Sequence, residues 1–373
     1  MSSEVLFLRF SRRVHNIGKV MGKILEATGF REGLREGELV AIKLHFGERG
    51  NIRHLRPQIV KPIVDYVKSV GALPFLTDTT TLYSGFRRNA VEYIETAALN
   101  GFTIGSVGAP IIIADGLTGD DYIEVETKGA LGSVAVASAI AKADALITLT
   151  HFKFHLSFGI GGALKNLAMG CCARKTKFDM HAAAKPRVVE EKCIGCGICV
   201  KRCRWGAITI VDRKAVIDYS KCVGCGDCVA ACRYGGISIS WRGGKEIEEM
   251  LRRAADAVNG VLSTFDEGKV LFINVLANIT RLCDCATSLE APLVPDIGIL
   301  ASRDPVAIDQ ASVDLVNSTP AIIPKDNGEL EFVPPGRDKV ELLYPNIKWN
   351  ILLEEAEKLG IGTRKYRFKY IFA

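Results

Sequence analysis

Residues 192–232 read KCIGCGICVKRCRWGAITIVDRKAVIDYSKCVGCGDCVAAC. Eight of the chain's twelve cysteines fall here in two copies of one spacing, Cys193-x2-Cys196-x2-Cys199-x3-Cys203 and Cys222-x2-Cys225-x2-Cys228-x3-Cys232, each cysteine 29 positions from its counterpart. Three thiolates on one short loop can grip three corners of a 4Fe-4S cubane, while the fourth, three residues on, ligates the cluster of the other copy. The spacing therefore predicts two 4Fe-4S clusters, one on Cys193, Cys196, Cys199 and Cys232 and the other on Cys222, Cys225, Cys228 and Cys203. Structural zinc needs only two C-x2-C pairs per tetrahedral ion, which leaves the third cysteine of each run without a task.

The repeat extends past the cysteines. Lys192 matches Lys221, Gly195 matches Gly224, Gly197 matches Gly226, and Trp205 with Ile208 matches Tyr234 with Ile237. Such a duplicated, pseudo-twofold unit resembles a bacterial-type ferredoxin, whose glycines let the loop turn tightly and aim N–H groups at sulfur. Arg204 and Arg233 replace the proline usual after the fourth cysteine. They bring positive charge close to each cluster, or serve only as solvated surface charge.

The unit fills only a small part of a 373-residue chain. We expect an inserted ferredoxin-like α+β module at 188–244 within a discontinuous α/β domain, 1–187 and 245–373. No run of eighteen apolar residues exists and the first residues, MSSEVLFLRFSRRVHN, lack a signal-peptide pattern, so the expected location is cytoplasmic, without a membrane partner. The net charge of +6 falls to about +2 once each cluster with its four thiolates adds roughly −2, which gives no argument for nucleic acid.

Outside the module, apolar runs alternate with helical patterns. Strands are predicted at 38–44, 73–76, 110–114, 145–149, 270–275 and 296–301. Helices are predicted at 57–70, 88–99, 133–143, 246–262, from Pro305 to Val316, and at 349–359. Residues 319–346 read as loop. Residues 364–372 alternate aromatic and basic side chains, which reads first as a half-buried strand and only second as a nucleic-acid surface. The alternation argues for an α/β fold, a mainly parallel sheet with helices on both faces.

In such sheets ligands bind beyond the carboxyl ends of the strands. Here the strands run out into Lys43, His45 and Glu48, then Asp78 and Tyr83, Asp115, the group His151, Lys153 and His155, Asn278 with Cys283-Asp284-Cys285, and Ser302 with Asp304. Together they predict one site on one rim. Singly each has a plainer reading, Asp304 as a helix cap and His155 as a core histidine. The stretch Gly159–Asn166, GIGGALKN, can aim backbone N–H groups at an anion, with Gly161, Gly162, Lys165 and Asn166 as its cofactor-binding residues and Arg87 as a further cation. Close helix packing explains the glycines equally well. Cys171, Cys172, Cys283 and Cys285 lie outside the repeat, and with a histidine they can build a soft-metal site or remain buried thiols.

The segments KLHFGERGN, TDTTTLYSGFRRNAVEY, IIIADGLTG, THFKFH, GIGGALKNLAMGCCARKTKFDMH, LCDCA and ASRDPVAID resemble the uncharacterised iron-sulfur centre proteins of the domain of unknown function 362. The resemblance covers almost the whole chain and implies a cluster-bearing α/β protein of no established reaction. Members often show His-Phe-Lys-Gly-His where this chain has Phe154 in place of the glycine. Gly161-Gly162-x-x-Lys165 is similar, more faintly, to the nickel-pincer lactate racemase family. The expected function is an oxidoreductase or reductive activating protein, with an electron carrier or iron-sulfur scaffold as the rival. Electrons would come from an acidic electron-transfer protein or other redox partner. They would go to a small-molecule or metallocofactor substrate, with an additional metal or small anionic cofactor at the rim. Lys165, Arg87 and Lys153 would hold an anion, His45, His151 or Asp78 would move protons, and Cys283 and Cys285 would bind metal or relay electrons.

Overall fold

The computed structural model describes residues 2–372 apart from 12–15, 83–84, 182–184, 223–227, 229–231, 233, 240–243, 288 and 326–327. Eight strands form the central sheet: β1 (Ser3–Arg9), β2 (Leu39–Lys43), β3 (Leu73–Asp78), β4 (Ile111–Ile113), β5 (Ala145–His151), β6 (Val270–Leu276), β7 (Gly298–Ser302) and β8 (Tyr366–Tyr370). Their order is β8-β1-β7-β6-β5-β2-β3-β4. All neighbours are parallel except β7, which runs against both β1 and β6. This is an α/β fold with a mainly parallel sheet.

Period-two alternation sends successive side chains to opposite faces. Ala145, Ile147 and Leu149 of β5 join one core with helices α1 (Ile17–Ala27), α2 (Pro57–Lys68) and α3 (Ala90–Leu99). Leu146 points into the other, covered by α4 (Ala163–Gly170), α5 (Arg174–His181), α6 (Lys245–Leu262), α7 (Pro305–Asn317) and α8 (Asn350–Lys358). Both faces are therefore buried, as a parallel sheet requires. Each fully buried aliphatic side chain contributes about 1.5–3 kcal/mol, so the strands need no polar face of their own.

The order of strands sets the site. β3 and β4 follow β2 outward on one side, whereas β5 and β6 are added on the other. After β2 the chain crosses to the face of α2, and after β5 to the face of α4. The boundary between these two strands is the topological switch point, where such sheets bind ligands.

Some elements differ from expectation. Within 133–143, Ser133–Ala137 is a strand paired antiparallel with Tyr122–Glu126, and only Ser138–Ala141 is helical. The Val-Ala-Val alternation buries Val134 and Val136 against α6, and this packing outweighs the helix preference of alanine. The predicted loop at 319–346 contains an antiparallel pair, Ala321–Pro324 with Leu330–Val333, and the short helix Lys339–Leu343. β1 and α1 were not anticipated; Asn16 caps α1 by accepting the N–H of Lys19 at 3.1 Å. The tail strand β8 lies at the sheet edge, parallel to β1, with Tyr366 and Phe368 packed on the core.

In the cysteine-rich segment, Pro186–Val188 pairs with Ile237–Ile239 and Ile208–Val211 pairs with Lys214–Ile217, both antiparallel. A shift of 29 positions carries 208–211 onto 237–240 and 185–188 onto 214–217, so each small sheet joins one strand from each copy. Ile208, Ala215, Ile217 and Ile237 form a separate small core with Cys199 and Cys228.

Candidate functional site

At the end of β2, Lys43 is buried with its Nζ 3.1 Å from Asp78 Oδ1 at the end of β3, and it donates to Asn166 Oδ1 of α4 at 2.6 Å. A Cβ on Gly170 would stand 2.0 Å from Lys43 Cε, so the glycine ending α4 makes room for the lysine. Tyr93 donates its hydroxyl hydrogen to Asp78, and Arg87 pairs with Glu48 at 3.1 Å, both pairs buried. Beyond β4, buried Asp115 accepts the N–H of Thr80 at 2.9 Å. Tyr83 lies outside the described residues.

Asp284, carried by the loop after β6, joins Lys153 with one oxygen and His151 Nδ1 with the other, the latter at 3.1 Å. His151 Nε2 faces the carbonyl of Ala277 at 2.7 Å. Both ring nitrogens thus face acceptors, while burial, with Lys153 beside it, lowers the His151 pKa, so the neutral ring donates to one of them. Burial alone would raise the Asp284 carboxyl, but Lys153 and His151 beside it hold it well below the usual range. Glu48 donates its N–H to Asp284 O at 2.9 Å, and Asn51 Nδ2 donates to Ala286 O at 2.8 Å. These bonds tie the loop after β2 to the loop after β6 across β5.

His45 accepts the N–H of Gly47 on Nδ1 at 2.9 Å, so the neutral ring carries its hydrogen on Nε2, a buried atom without a partner. Burial, helped by Arg87, holds its pKa well below the usual value, so the ring stays neutral. Lys165 has no carboxylate partner among the described residues, and its Nζ lies 5.6 Å over the Phe158 ring. Burial, with Lys43 and Arg87 nearby, lowers it to about 8. His45 and Lys165 are each within electrostatic reach of Lys43, Arg87 and Asp284. The structure thus gathers His45, Asp78, Arg87, His151, Lys153, Lys165 and Asn166 at the β2–β5 switch.

Two expected features resolve differently. Asp309 of α7 accepts the N–H groups of Ala163 at 2.7 Å and Leu164 at 3.0 Å, so the first turn of α4 already holds a carboxylate from within the protein. A Cβ on Gly162 would stand 2.4 Å from both Asp309 oxygens, and Gly161 sits in the short strand paired with Lys153–His155. Gly162 therefore makes room for Asp309, whereas a Cβ on Gly161 would meet only Lys153 O at 3.7 Å, an ordinary contact. Ser302 lies opposite Phe272, near the start of β6, because β7 is antiparallel. Asp304 there caps α7, accepting from Val306 and Ala307 at 2.9 Å, away from the rim.

One ring nitrogen of His155 and the sulfurs of Cys283 and Cys285 lie within 4.8 Å of one another, a group whose donors suit a metal ion. Cys283 and Cys285 are joined in a disulfide. Cys171 and Cys172 are fully buried in the core, where burial pushes the Cys171 thiol up to about 12 and Cys172 also up. They stand outside that group.

In the cysteine-rich segment, Cys193, Cys196, Cys199 and Cys232 line one pocket with Ile194, Ile198 and Tyr234. Backbone N–H groups point at its sulfurs and their counterparts: Ala215 to Cys193 at 3.3 Å, Gly236 to Cys232 at 3.2 Å, and Ala207 to Cys203 at 3.3 Å. A Cβ on Gly236 would stand 2.7 Å from Cys193 Cα, so this close approach needs glycine. Cys203 and Cys222 are half-buried and Cys228 is buried, while Cys225 and Arg233 lie outside the described residues. Four thiols around one pocket, with amides on the Cys193 and Cys232 sulfurs, fit a cysteine-ligated cluster.

Tyr93, Lys177 and Asp309 escaped sequence reasoning. Each is a polar residue on the core-facing stripe of a helix, and that misplacement was the available signal.

A parallel sheet with a buried polar site at its switch point and a cysteine-rich segment defines a cysteine-bearing α/β protein. The chain belongs to the family described as domain of unknown function (DUF362), which matches residues 40–314. Among solved structures it is similar to the lactate racemase apoprotein from Thermoanaerobacterium thermosaccharolyticum, with 10% identity, a TM-score of 0.42, and coverage of 84% of this chain and 58% of that one. It is also similar to a protein from Thermotoga maritima, with 12% identity, a TM-score of 0.35, and coverage of 69% and 49%. The chain thus spans less than two thirds of either structure. The comparison with curated proteins finds no match.

Proposed function

We propose that the protein is an iron-sulfur redox protein whose cysteine-rich segment, 188–244, is an inserted two-cluster unit serving a substrate or metallocofactor bound at the β2–β5 rim. The observation that carries this reading is the pocket lined by Cys193, Cys196, Cys199 and Cys232, three from one copy of the repeat and the fourth from the other. Cys203, Cys222, Cys225 and Cys228 would hold the second cluster. Bound clusters supply one-electron transfer.

The protein's own groups do the rest. Of the rim cations, Arg87 and Lys153 are matched by Glu48 and Asp284, which leaves Lys165 to hold an anionic group. The His151–Asp284 pair holds a proton, His45 offers a fixed Nε2–H, and the Lys43–Asp78–Asn166 network keeps the crevice rigid. Helix α5 supports a connection between the two regions. Its Phe178 packs edge-on against Trp205 with centroids 6.1 Å apart, and its Lys177 donates to Thr79 Oγ at 2.6 Å beside the end of β3. Exposed Lys201, Arg202 and Arg204 suit an acidic electron donor. Among the described residues no helix is long and apolar enough to cross a membrane. The thiol-rich composition fits a reducing cytoplasm.

The test is anaerobic reduction with dithionite followed by reoxidation with and without candidate anionic small molecules. Ligand-dependent reoxidation that Lys165→Ala abolishes supports the reading. Reoxidation indifferent to every small molecule favours an electron carrier or scaffold.

A further inference from the structure

We propose that Cys283 and Cys285 form a redox-active pair, a two-electron group set into the rim beside His155. A structural staple is the weaker account. The bond spans a sequence separation of 2, and the loop-closure entropy that a disulfide removes from the unfolded chain is smallest for the shortest loops. Its surroundings are those of reacting sulfur. Cys283 is buried at 8% exposure while Cys285 is only partly buried, so Cys285 is the more open of the two to an approaching thiolate. The N–H of Cys285 points at Cys283 Sγ at 3.4 Å, ready to stabilise a thiolate there.

His155 stands beside the pair. Its Nδ1 accepts the N–H groups of Ser157 and Phe158, both at 3.1 Å, so the neutral ring keeps its hydrogen on Nε2. One nitrogen of that ring lies within 4.8 Å of both sulfurs. His155 is thus a positioning residue for the pair.

The exchange balances with a dithiol as reductant. Its thiolate attacks the accessible Cys285 Sγ, the Cys283–Cys285 bond breaks, and that electron pair leaves on Cys283 as thiolate. The reductant's second thiolate then closes its own disulfide, releasing Cys285, and two protons complete the two thiols. Asp284 lies between the pair and anchors His151 and Lys153, so opening the bond acts directly on the backbone that holds this ion-paired network.

The inference rests on the proposed function only for its physiological electron source. The full chain, purified anaerobically with its iron, is equilibrated with mixtures of reduced and oxidised dithiothreitol, quenched and alkylated, and free thiols are counted on the peptide containing both cysteines. Both should appear together and reversibly, labelling rising about tenfold or more from the oxidised to the reduced end with iron content unchanged. Cys285→Ser should leave Cys283 alkylated at every ratio. His155→Ala should raise the pH at which the reduced Cys283 is half-alkylated. A bond that resists dithiothreitol, two thiols that never reoxidise, or a reduced pair that captures added zinc and then resists oxidation would each overturn the proposal, as would an unchanged pH profile for the role of His155. Opening by dithiothreitol but not by dithionite in iron-loaded protein would sustain the pair and count against the cluster route to the rim.

Discussion

Cys232 and Cys193 line one pocket although they belong to different copies of the repeat and stand 39 positions apart. The small sheets explain it, since each joins one strand from each copy and brings the end of the second beside the loop of the first. Anaerobically purified protein should therefore hold about eight iron and eight sulfide per chain. Cys232→Ser and Cys199→Ser should lose the same half of the iron and the same electron paramagnetic resonance signal. Loss of different signals would show that the cysteines do not share a cluster.

Lys165 should titrate at about 8, because burial and the charges of Lys43 and Arg87 disfavour its ammonium form. The amine is charged below that pH and neutral above it, so retention of an anionic ligand should fall as pH rises through about 8. Neutral amine is also the reactive form. At pH 8 about half of Lys165 is neutral, against less than about a hundredth of an ordinary lysine of pKa about 10.4, so trinitrobenzenesulfonate should modify Lys165 faster than exposed lysines. Lys165→Arg should keep anion retention and remove its dependence on pH, as mass-spectrometric labelling and equilibrium dialysis would show.

Much of this was legible in the chain, for physical reasons that differ by element. Strands β2, β3, β5 and β6 are buried on both faces and so read as apolar runs, and the polar residues that follow them, His45, Asp78, His151 and Lys153, stand out against those runs. Direction was not legible. The segment of β7 looks the same in either orientation, and only the antiparallel pairing with β6 shows that Ser302 and Asp304 end at the opposite edge. Partners remote in sequence were hidden as well: nothing in GIGGALKN announces that a carboxylate 146 positions later occupies its amides.

Gly170→Ala should disable the Lys43–Asp78 pair, because the new Cβ would stand 2.0 Å from Lys43 Cε and 2.2 Å from its Nζ. The lysine's end is flexible, but moving it strands Asp78 in a buried setting, at a cost of about 3 kcal/mol. Gly22→Ala in α1 is the control, for nothing lies within 4 Å of its Cβ. That substitution should stabilise by roughly 0.5–1 kcal/mol through helix propensity. Chemical denaturation of both variants checks the contrast, and equal midpoints would show that the pair contributes little.

Asp309 sets a pH dependence of stability. Burial pushes its carboxyl up to about 6 against the opposing effect of the Leu164 and Ala163 amides and of Asn274. A group whose folded pKa is raised stabilises fully below its unfolded value, about 3.9, and that contribution is lost as pH rises through about 6. Stability should therefore decline between pH 5 and pH 7 by an amount of order 1 kcal/mol. Asp309→Asn removes the ionisation but keeps one oxygen for two amides, a loss of about 1 kcal/mol that does not vary with pH. The variant should be weaker than the wild type at pH 5 and should approach or overtake it at pH 7.5, where the wild type must bury a charge. Urea unfolding at the two pH values, followed by fluorescence with the iron content monitored, measures the difference directly. Parallel curves for the two proteins would mean that Asp309 is ionised throughout and that the Ala163 and Leu164 amides outweigh its burial.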